Sequence, residues 1–442
     1  MTPQPPVPDT DTPAALHGAR LPRWLLPADW PTHEGRPALA RLELADGRIA
    51  RVRPLPAAEG PAGQARWDLH GAPVLPGFVE AHAHLDKAFI GPRLGAVRPG
   101  LLGAIEAVIA DRERWTREDL RSRMRRGLHW AWQAGTTRLR THIDWWDPQA
   151  TPLAWEVMGE LAHEWRDRLA IERVALVKLG PCEDRAVAQA LARRIAGDGP
   201  GALLGGFVHS SQWNPGALRE LLRAAQDEGL DLDLHVDEEL NPEAEGLAWL
   251  ARNLRATRFD GRVVCGHTCA LAAQPESRAL ATLDAVARAP ITLVSLPITN
   301  LLLQDAATGR TPRQRGLTLV KEARARGIPL LIGSDNVQDP FCRVGSLDPV
   351  EAMQAAVLAG QLDGAFDHWS MALCRADWLG REAAAAAPGL EGRPADLVIF
   401  DRAEATAWPS RAARRRVLRG GRAIDTDTST DTDTDDSGAP AR

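Results

Sequence analysis

The feature that most constrains the fold of this chain is an alternation of short apolar runs with amphipathic stretches through its middle. The apolar runs that we take as strands are 74–82, 136–143, 171–178, 203–209, 231–236, 262–267, 290–297 and 329–334. Helical periodicity is found in intervening stretches such as 102–113, 117–133, 216–229, 277–288, 314–326 and 349–360. Strand-then-helix units in a row form a parallel sheet, and eight strands are the number that closes a barrel. We therefore predict a TIM-like (β/α)8 barrel over residues 76–380.

Strand-rich segments flank this region on both sides. Residues 36–75 contain short alternating runs separated by a tight turn, which is the pattern of a β-hairpin. A similar pattern returns at residues 395–400 and continues toward the C-terminus. The simplest arrangement is one small β-sandwich domain built from both ends of the chain. We assign residues 16–75 and 381–424 to it.

Composition limits the functions that the 442 residues can have. A formal net charge of −5 gives no basic surface for nucleic acid, and no stretch reaches the roughly 18 apolar residues of a membrane helix. Five cysteines without CxxC pairing fit a reducing compartment, so we predict a cytoplasmic protein. The proline-rich residues 1–15 and the acidic residues 425–442 are predicted to be disordered, because they carry too little apolar surface to offset the entropy of ordering.

Histidines are concentrated where the candidate strands end, and barrel enzymes place their chemistry at those ends. His82 and His84 end the first strand, and alternate residues of a strand share one face. The fifth strand ends at His235, and Asp335 follows the eighth. Three imidazoles and a carboxylate form a partly open nitrogen and oxygen site of the kind that binds Zn²⁺ or Fe²⁺. We predict that these four residues hold a divalent metal.

The same strand ends carry groups for acid–base chemistry. A divalent metal lowers the pKa of a bound water, so that hydroxide is available near neutral pH. One carboxylate can then take the proton of the water, and a second acid can protonate the leaving group. Asp335 and Glu238 are the natural pair, and His267 can hydrogen-bond the developing oxyanion. We therefore predict catalytic roles for Glu238, His267 and Asp335.

The segments that contain these residues make the chain resemble the amidohydrolase superfamily, and within it the cytosine deaminase branch. The segments are 76–87, with His-Ala-His-Leu-Asp-Lys, 140–144, 235–238, 266–268, 297–304, 313–316 and 333–341, with Gly-Ser-Asp-Asn. The resemblance implies a proton shuttle at Glu238 and assistance to the attacking water from His267. It also implies a single metal ion, because binuclear relatives use a lysine on strand 4, where this chain has Gly-Gly-Phe-Val-His.

Residues that contact the substrate are predicted from the same segments. Cytosine deaminases resembling this chain carry a glutamine after strand 3, which offers both a donor and an acceptor, whereas Lys178 at the matching position of this chain is a donor only. The alternative is that Lys178 lies at the surface or at the start of a helix. Asn336 stands where the family often has a second aspartate, and Trp145 either walls the pocket or packs in the core. With His142 and Phe341, these residues form our predicted substrate contacts.

These features together predict a hydrolytic deaminase of a small amino-substituted nitrogen heterocycle such as a cytosine-like pyrimidine. Hydroxide would attack the carbon of the C–N bond, and ammonia would leave. The alternative is a hydrolase that removes an N-alkylamino group from a triazine-like ring, or that acts on another cyclic amidine or amide. A catalytically silent barrel would lack one of the ligands or the proton shuttle, and none is missing. The expected partner is the small-molecule substrate, and the resemblance also allows a homo-oligomer.

Overall fold

The computed structural model describes residues 11–55, 66–380 and 389–425. Its strands are β1 (Ala15–Ala19), β2 (Thr32–His33), β3 (Arg36–Pro37), β4 (Ala40–Ala45), β5 (Arg48–Pro54), β6 (Arg66–Asp68), β7 (Val74–Pro76), β8 (Phe78–Ala83), β9 (Thr136–Trp145), β10 (Ala170–Lys178), β11 (Ala202–Val208), β12 (Leu232–Val236), β13 (Val263–His267), β14 (Ile291–Ser295), β15 (Leu330–Ile332), β16 (Leu397–Ile399), β17 (Arg416–Arg419) and β18 (Arg422–Ile424). Its α-helices are α1 (Leu101–Asp111), α2 (Arg117–Ala134), α3 (Leu153–Trp165), α4 (Arg185–Gly197), α5 (Pro215–Asp227), α6 (Gly246–Thr257), α7 (Glu276–Val286), α8 (Pro297–Leu303), α9 (Val320–Ala325) and α10 (Pro349–Gly360). None of these helices is both long and apolar enough to cross a membrane.

Strands β8 to β15 form one parallel sheet in chain order, with helices between them. The two ends of this sheet meet where Ala83 bridges to Asp335, and the Asp335 N–H donates to the carbonyl of His82 at 2.8 Å. The central strands β12, β13 and β14 are buried along their whole length, as strands covered on both faces must be. The predicted TIM-like barrel is therefore confirmed.

The first candidate strand, residues 74–82, is in fact two strands. β7 pairs antiparallel with β16, whereas β8 pairs with β9 in the barrel. Gly77 separates them, and a Cβ atom there would lie 2.3 Å from Cγ2 of Thr137. The change from one sheet to another thus occurs at a residue without a side chain, inside a continuous apolar run. Similarly, the predicted helix 314–326 starts only at Val320, because Gly316 has a left-handed φ of 67°.

The small domain consists of two four-stranded sheets, ordered β5-β4-β1-β6 and β18-β17-β16-β7. Apolar side chains from both sheets, such as Leu16, Trp67 and Leu418, share one buried cluster. Both ends of the chain contribute strands, as predicted, and the first strand already begins at Ala15. The rest of the predicted disordered segments falls largely outside the described residues.

A buried ionic network lies inside the barrel on the side away from the carboxyl ends of the strands, which we call the floor of the barrel. Arg140 on β9 donates to Glu172 on β10 and to Asp233 on β12, both at 2.8 Å. Its guanidinium also donates to the carbonyl of Leu379, from the segment that follows the barrel. Buried charges are tolerated when they are paired and hydrogen-bonded in this way. The network leaves the carboxyl ends of the strands as the open end of the barrel.

Candidate active site

Four side chains converge at the open end of the barrel with their donor atoms almost in contact. The Nε2 atoms of His82 and His84 lie 3.2 and 3.1 Å from Nε2 of His235. Oδ1 of Asp335 lies 3.3 Å from Nε2 of His84 and 3.6 Å from Nε2 of His82. Ligands about 2.1 Å from a metal at the centre of a tetrahedron are about 3.4 Å apart. The four predicted ligands are therefore spaced as the donors of one metal ion would be.

The electrostatics of this cluster also fit a divalent cation. Burial lowers the pKa of His82, His84 and His235 well below the ordinary value, and the clustered histidines would repel one another if charged, which lowers it further. The imidazoles are thus neutral, which is the form that binds a metal. Burial raises the pKa of Asp335, and the charge of Asp339 acts in the same direction. A cation among these groups would restore the carboxylate, so the donor set fits Zn²⁺ or Fe²⁺.

Strained backbone turns orient the polar residues at three strand ends. Asp335, His267 and Asp237 have φ values of 65°, 69° and 50°, and Thr268 follows with 49°. Non-glycine residues in this region cost on the order of 1–3 kcal/mol each, and such strain concentrates at functional sites. The Thr268 turn is held by its N–H, which donates to the carbonyl of Val236 at 2.9 Å. The strain in these turns lowers the stability of the fold, and in return the turns fix the direction in which these side chains point.

Glu238 and His267 form a second functional pair beside the ligand cluster. Oε1 of Glu238 lies 3.3 Å from Nδ1 of His267, and Nδ2 of Asn300 lies 3.2 Å from the same nitrogen. Burial and the charge of Asp335 raise the pKa of Glu238 well above its ordinary value, which favours the protonated acid. Burial lowers the pKa of His267 to about 3, so its ring is neutral.

The tautomer of His267 follows from its contact with Asn300. The Asn300 amide nitrogen can only donate, so Nδ1 of His267 accepts this bond and carries the lone pair of the ring. The ring proton consequently resides on Nε2, which is buried and has no hydrogen-bond partner among the described residues. His267 therefore presents an unused N–H donor in the site, as needed by a residue that stabilises an oxyanion. Asn300 sets this tautomer, and sequence reasoning did not single it out. The only indication of its role in the sequence was its position in segment 297–304, which is one of the segments that carry the family resemblance.

We expect Asn300→Asp to lower kcat more than Asn300→Ala does. A carboxylate at this position accepts from Nδ1–H, so the ring proton leaves Nε2 and the donor is lost, at a cost of about 10²-fold or more. The alanine variant introduces no acceptor beside Nδ1, so it should lose only about tenfold in kcat. The kcat–pH profile should show an additional imidazole ionisation in the aspartate variant alone. Equal losses with identical profiles would contradict the tautomer assignment.

A cavity of about 140 Å³ opens beside the ligand cluster. It is lined by His84, His235, Glu238 and His267, together with Leu101 and Ile105 of α1. Four of the five predicted substrate contacts line it, namely Lys178, Trp145, Asn336 and Phe341. Trp145 has both of the roles considered for it, since its ring also packs on Trp155 with centroids 5.2 Å apart.

His142 is not among the residues lining this cavity, although we predicted a substrate contact there. Its ring lies against His82, with centroids 3.9 Å apart, and its Nε2 is 3.1 Å from Oδ1 of Asp233. Asp233 also accepts from Arg140, so His142 connects the metal-ligand cluster to the ionic floor. The donor atoms of His82, His142 and His235 lie within 4.8 Å of one another, but Nε2 of His142 is engaged by Asp233. The structure therefore places His142 beneath the site.

Two carboxylate contacts that sequence reasoning missed also shape the site. Oε1 of Glu80 accepts the N–H of Ser334 at 3.0 Å and that of His82 at 3.3 Å, which ties together the segments carrying His82 and Asp335. Lys87 donates to Asp144 at 2.7 Å, and both residues line the cavity. In the sequence, the only indication of a role for Lys87 was its position at the end of segment 76–87. Its partner Asp144 lies on β9 and could not be identified from that segment.

Comparisons with known proteins agree with this geometry. The amidohydrolase family matches residues 91–424. The chain is 39% identical over 394 residues to the pterin deaminase of Rhizobium rhizogenes, covering 87% of this chain and 88% of that protein. The 5-methylcytosine deaminase of Klebsiella pneumoniae, liganded with 5-fluorocytosine, has a TM-score of 0.74 at 25% identity and covers 93% of this chain and 97% of its own.

A third similar protein is a further solved structure. The N-isopropylammelide isopropylaminohydrolase of Burkholderia multivorans has a TM-score of 0.71 at 24% identity, again over 93% of this chain and 97% of its own. At that identity the likeness concerns the fold. The family match covers most of the chain and includes the predicted ligands His235 and Asp335. The chain therefore belongs to the amidohydrolase family, which confirms the resemblance predicted from its motifs.

Proposed function

We propose that this protein is a metal-dependent deaminase that releases ammonia from a fused amino heterocycle of the pterin class. The observation that carries this proposal is the pairing of Glu238 with His267 at 3.3 Å beside four converging ligand atoms. Such a pair supplies a buried acid and a neutral N–H donor at one end of a cavity. Hydrolysis of an amidine-like C–N bond needs both groups.

The chain's residues divide the reaction between them. When bound by His82, His84, His235 and Asp335, a divalent ion supplies a water activated for attack near neutral pH. Asp335 accepts the proton of that water as the new C–O bond forms. Glu238 places its proton on the ring nitrogen next to the amino-bearing carbon, and His267 donates from Nε2 to the oxygen. The proton held by Asp335 passes to the amine, the hydroxyl proton passes to Glu238 as the C=O bond forms, and the C–N bond breaks to release ammonia, which returns both acids to their starting states.

The cavity can accommodate a bicyclic substrate. Its volume of about 140 Å³ is close to that of a cavity that binds benzene, and it is open to solvent, so a second fused ring can extend toward the opening. Trp145, Trp146 and Phe207 contribute aromatic side chains to its lining, which favours a flat aromatic ligand. The pterin deaminase is similar over nearly the whole chain. Pterin is therefore the substrate class that we favour over a cytosine-like pyrimidine.

Ammonia release from metal-loaded protein tests this proposal. The panel is pterin, cytosine, 5-methylcytosine and N-isopropylammelide, assayed for both ammonia and isopropylamine. We expect the highest kcat/KM for ammonia release with pterin. A higher kcat/KM for cytosine would overturn the substrate class, and isopropylamine as the main product would overturn deamination. The Asp335→Asn variant, prepared in parallel, controls for contaminating activity.

A further inference from the structure

Lysine is used in this protein at very few positions. Of its 53 basic side chains apart from histidine, only Lys87, Lys178 and Lys321 are lysines, and the others are arginines. Two of these three, Lys87 and Lys178, line the cavity, whereas Lys321 is exposed on α9. Lysine presents a compact ammonium where arginine presents a wide planar fork. In so arginine-rich a chain, two lysines in one cavity indicate that these positions need a small cation.

The two cavity lysines differ in their partners. Lys87 is buried and its Nζ lies 2.7 Å from Oδ1 of Asp144, so its charge is matched within the protein. Lys178 ends β10 half-buried, and among the described residues it forms no ion pair or hydrogen bond. Its Nζ lies 4.8 Å from the centroid of the Trp146 ring. Lys178 is thus a cation that is held in place by an aromatic face but has no counter-charge.

The surroundings of Trp146 increase the positive charge of this wall. The guanidinium of Arg112, at the end of α1, lies 5.0 Å from the centroid of the same indole ring. The two acids that line the cavity are Asp144, which is neutralised by Lys87, and Glu238, which favours its protonated form. A partly desolvated ammonium gains most from an anion that replaces its lost hydration. The wall around Lys178 therefore has the charge of an anion-binding subsite.

We propose that Lys178 binds an anionic substituent, most simply a carboxylate, on the part of the heterocycle remote from the amino-bearing carbon. This inference rests on the proposed deaminase function and narrows its substrate to acidic heterocycles. The ammonium donates to the carboxylate, and the Trp146 face restricts where the lysine can point. Lys178 would then determine specificity without taking part in the proton transfers at Glu238 and His267.

A matched pair of substrates tests the proposal. For wild-type metal-loaded protein we expect kcat/KM to be at least about tenfold higher for pterin-6-carboxylate than for pterin, as for a gained charge-assisted hydrogen bond. In Lys178→Met the ratio should fall to about one, and in Lys178→Glu it should fall below one through like-charge repulsion. Lys321→Met removes the same charge from the surface and should leave the ratio unchanged.

Product binding separates this inference from the proposed function. Lumazine and lumazine-6-carboxylate, the deaminated products, are titrated into the same proteins and followed by tryptophan fluorescence. Tighter binding of the carboxylate by wild-type protein and not by Lys178→Met supports the subsite even if no ammonia is released, in which case only the proposed function fails. If Lys178→Met weakens the binding of both products equally, the lysine contacts a group of the ring itself and the proposal is overturned. A wild-type ratio near one in both assays overturns it as well.

Discussion

Exchange of Asp335 for asparagine is expected to empty the metal site and to lower kcat by about 10³-fold or more. Asparagine tolerates the left-handed backbone, with its φ of 65°, that Asp335 adopts, so the turn after β15 should persist. Its neutral amide oxygen replaces the one anionic donor of a set that otherwise consists of three neutral imidazoles. The metal contributes several kcal/mol of transition-state stabilisation, and each 1.36 kcal/mol corresponds to about tenfold in rate.

The measurement is metal content after dialysis, by atomic absorption, together with kcat at saturating substrate. Asp284→Asn is the matched control, because Asp284 is exposed and pairs with Arg326 at the surface. It should keep both metal and activity. Thermal unfolding of both variants shows whether the Asp335 exchange leaves the barrel folded. An Asp335→Asn protein that retains full metal and full activity would overturn the assignment of the ligands.

The barrel and the convergence of the four candidate ligands could be predicted because each rests on a local pattern. His82 and His84 share a strand face, and His235 and Asp335 each follow an apolar run, so the rule that strand ends meet at one edge brings them together. The register of neighbouring strands was not needed for this prediction. The split of the first strand at Gly77 was missed, because an apolar run has the same pattern whichever sheet it joins.

The environment of each site residue depended instead on contacts distant in sequence. His142 points to Asp233, 91 residues away, and the alternation of strand faces alone could not distinguish the cavity from the barrel floor. Asn300 lies on the short helix α8 and contacts His267 from there. The predicted strand 290–297 ends where this helix begins, and the sequence pattern did not indicate the helix. Such tertiary hydrogen bonds have no periodicity in the sequence. The tautomer of His267 consequently became visible only in three dimensions.

Exchange of Glu238 for glutamine is expected to lower kcat by about 10²- to 10⁴-fold while the metal stays bound. Glutamine has the same shape, and Asn300 still donates to Nδ1 of His267, so the tautomer of the imidazole should persist. It has no ionisable proton to place on the ring nitrogen, and general acid catalysis contributes a factor of this size. Because the loss falls on proton transfer and not on binding, KM should change little.

Two further variants decide whether the proton of Glu238 is the cause. Glu243→Gln removes an exposed carboxylate from the segment that follows β12 and should behave as wild type. Glu238→Asp keeps the acid but withdraws it by one methylene, so its kcat should lie between those of wild type and Glu238→Gln. A glutamine variant with less than a tenfold loss in kcat would assign the proton transfer to another group. Loss of metal from that variant would instead make Glu238 part of the ligand set, which the four atoms 3.1 to 3.6 Å apart argue against.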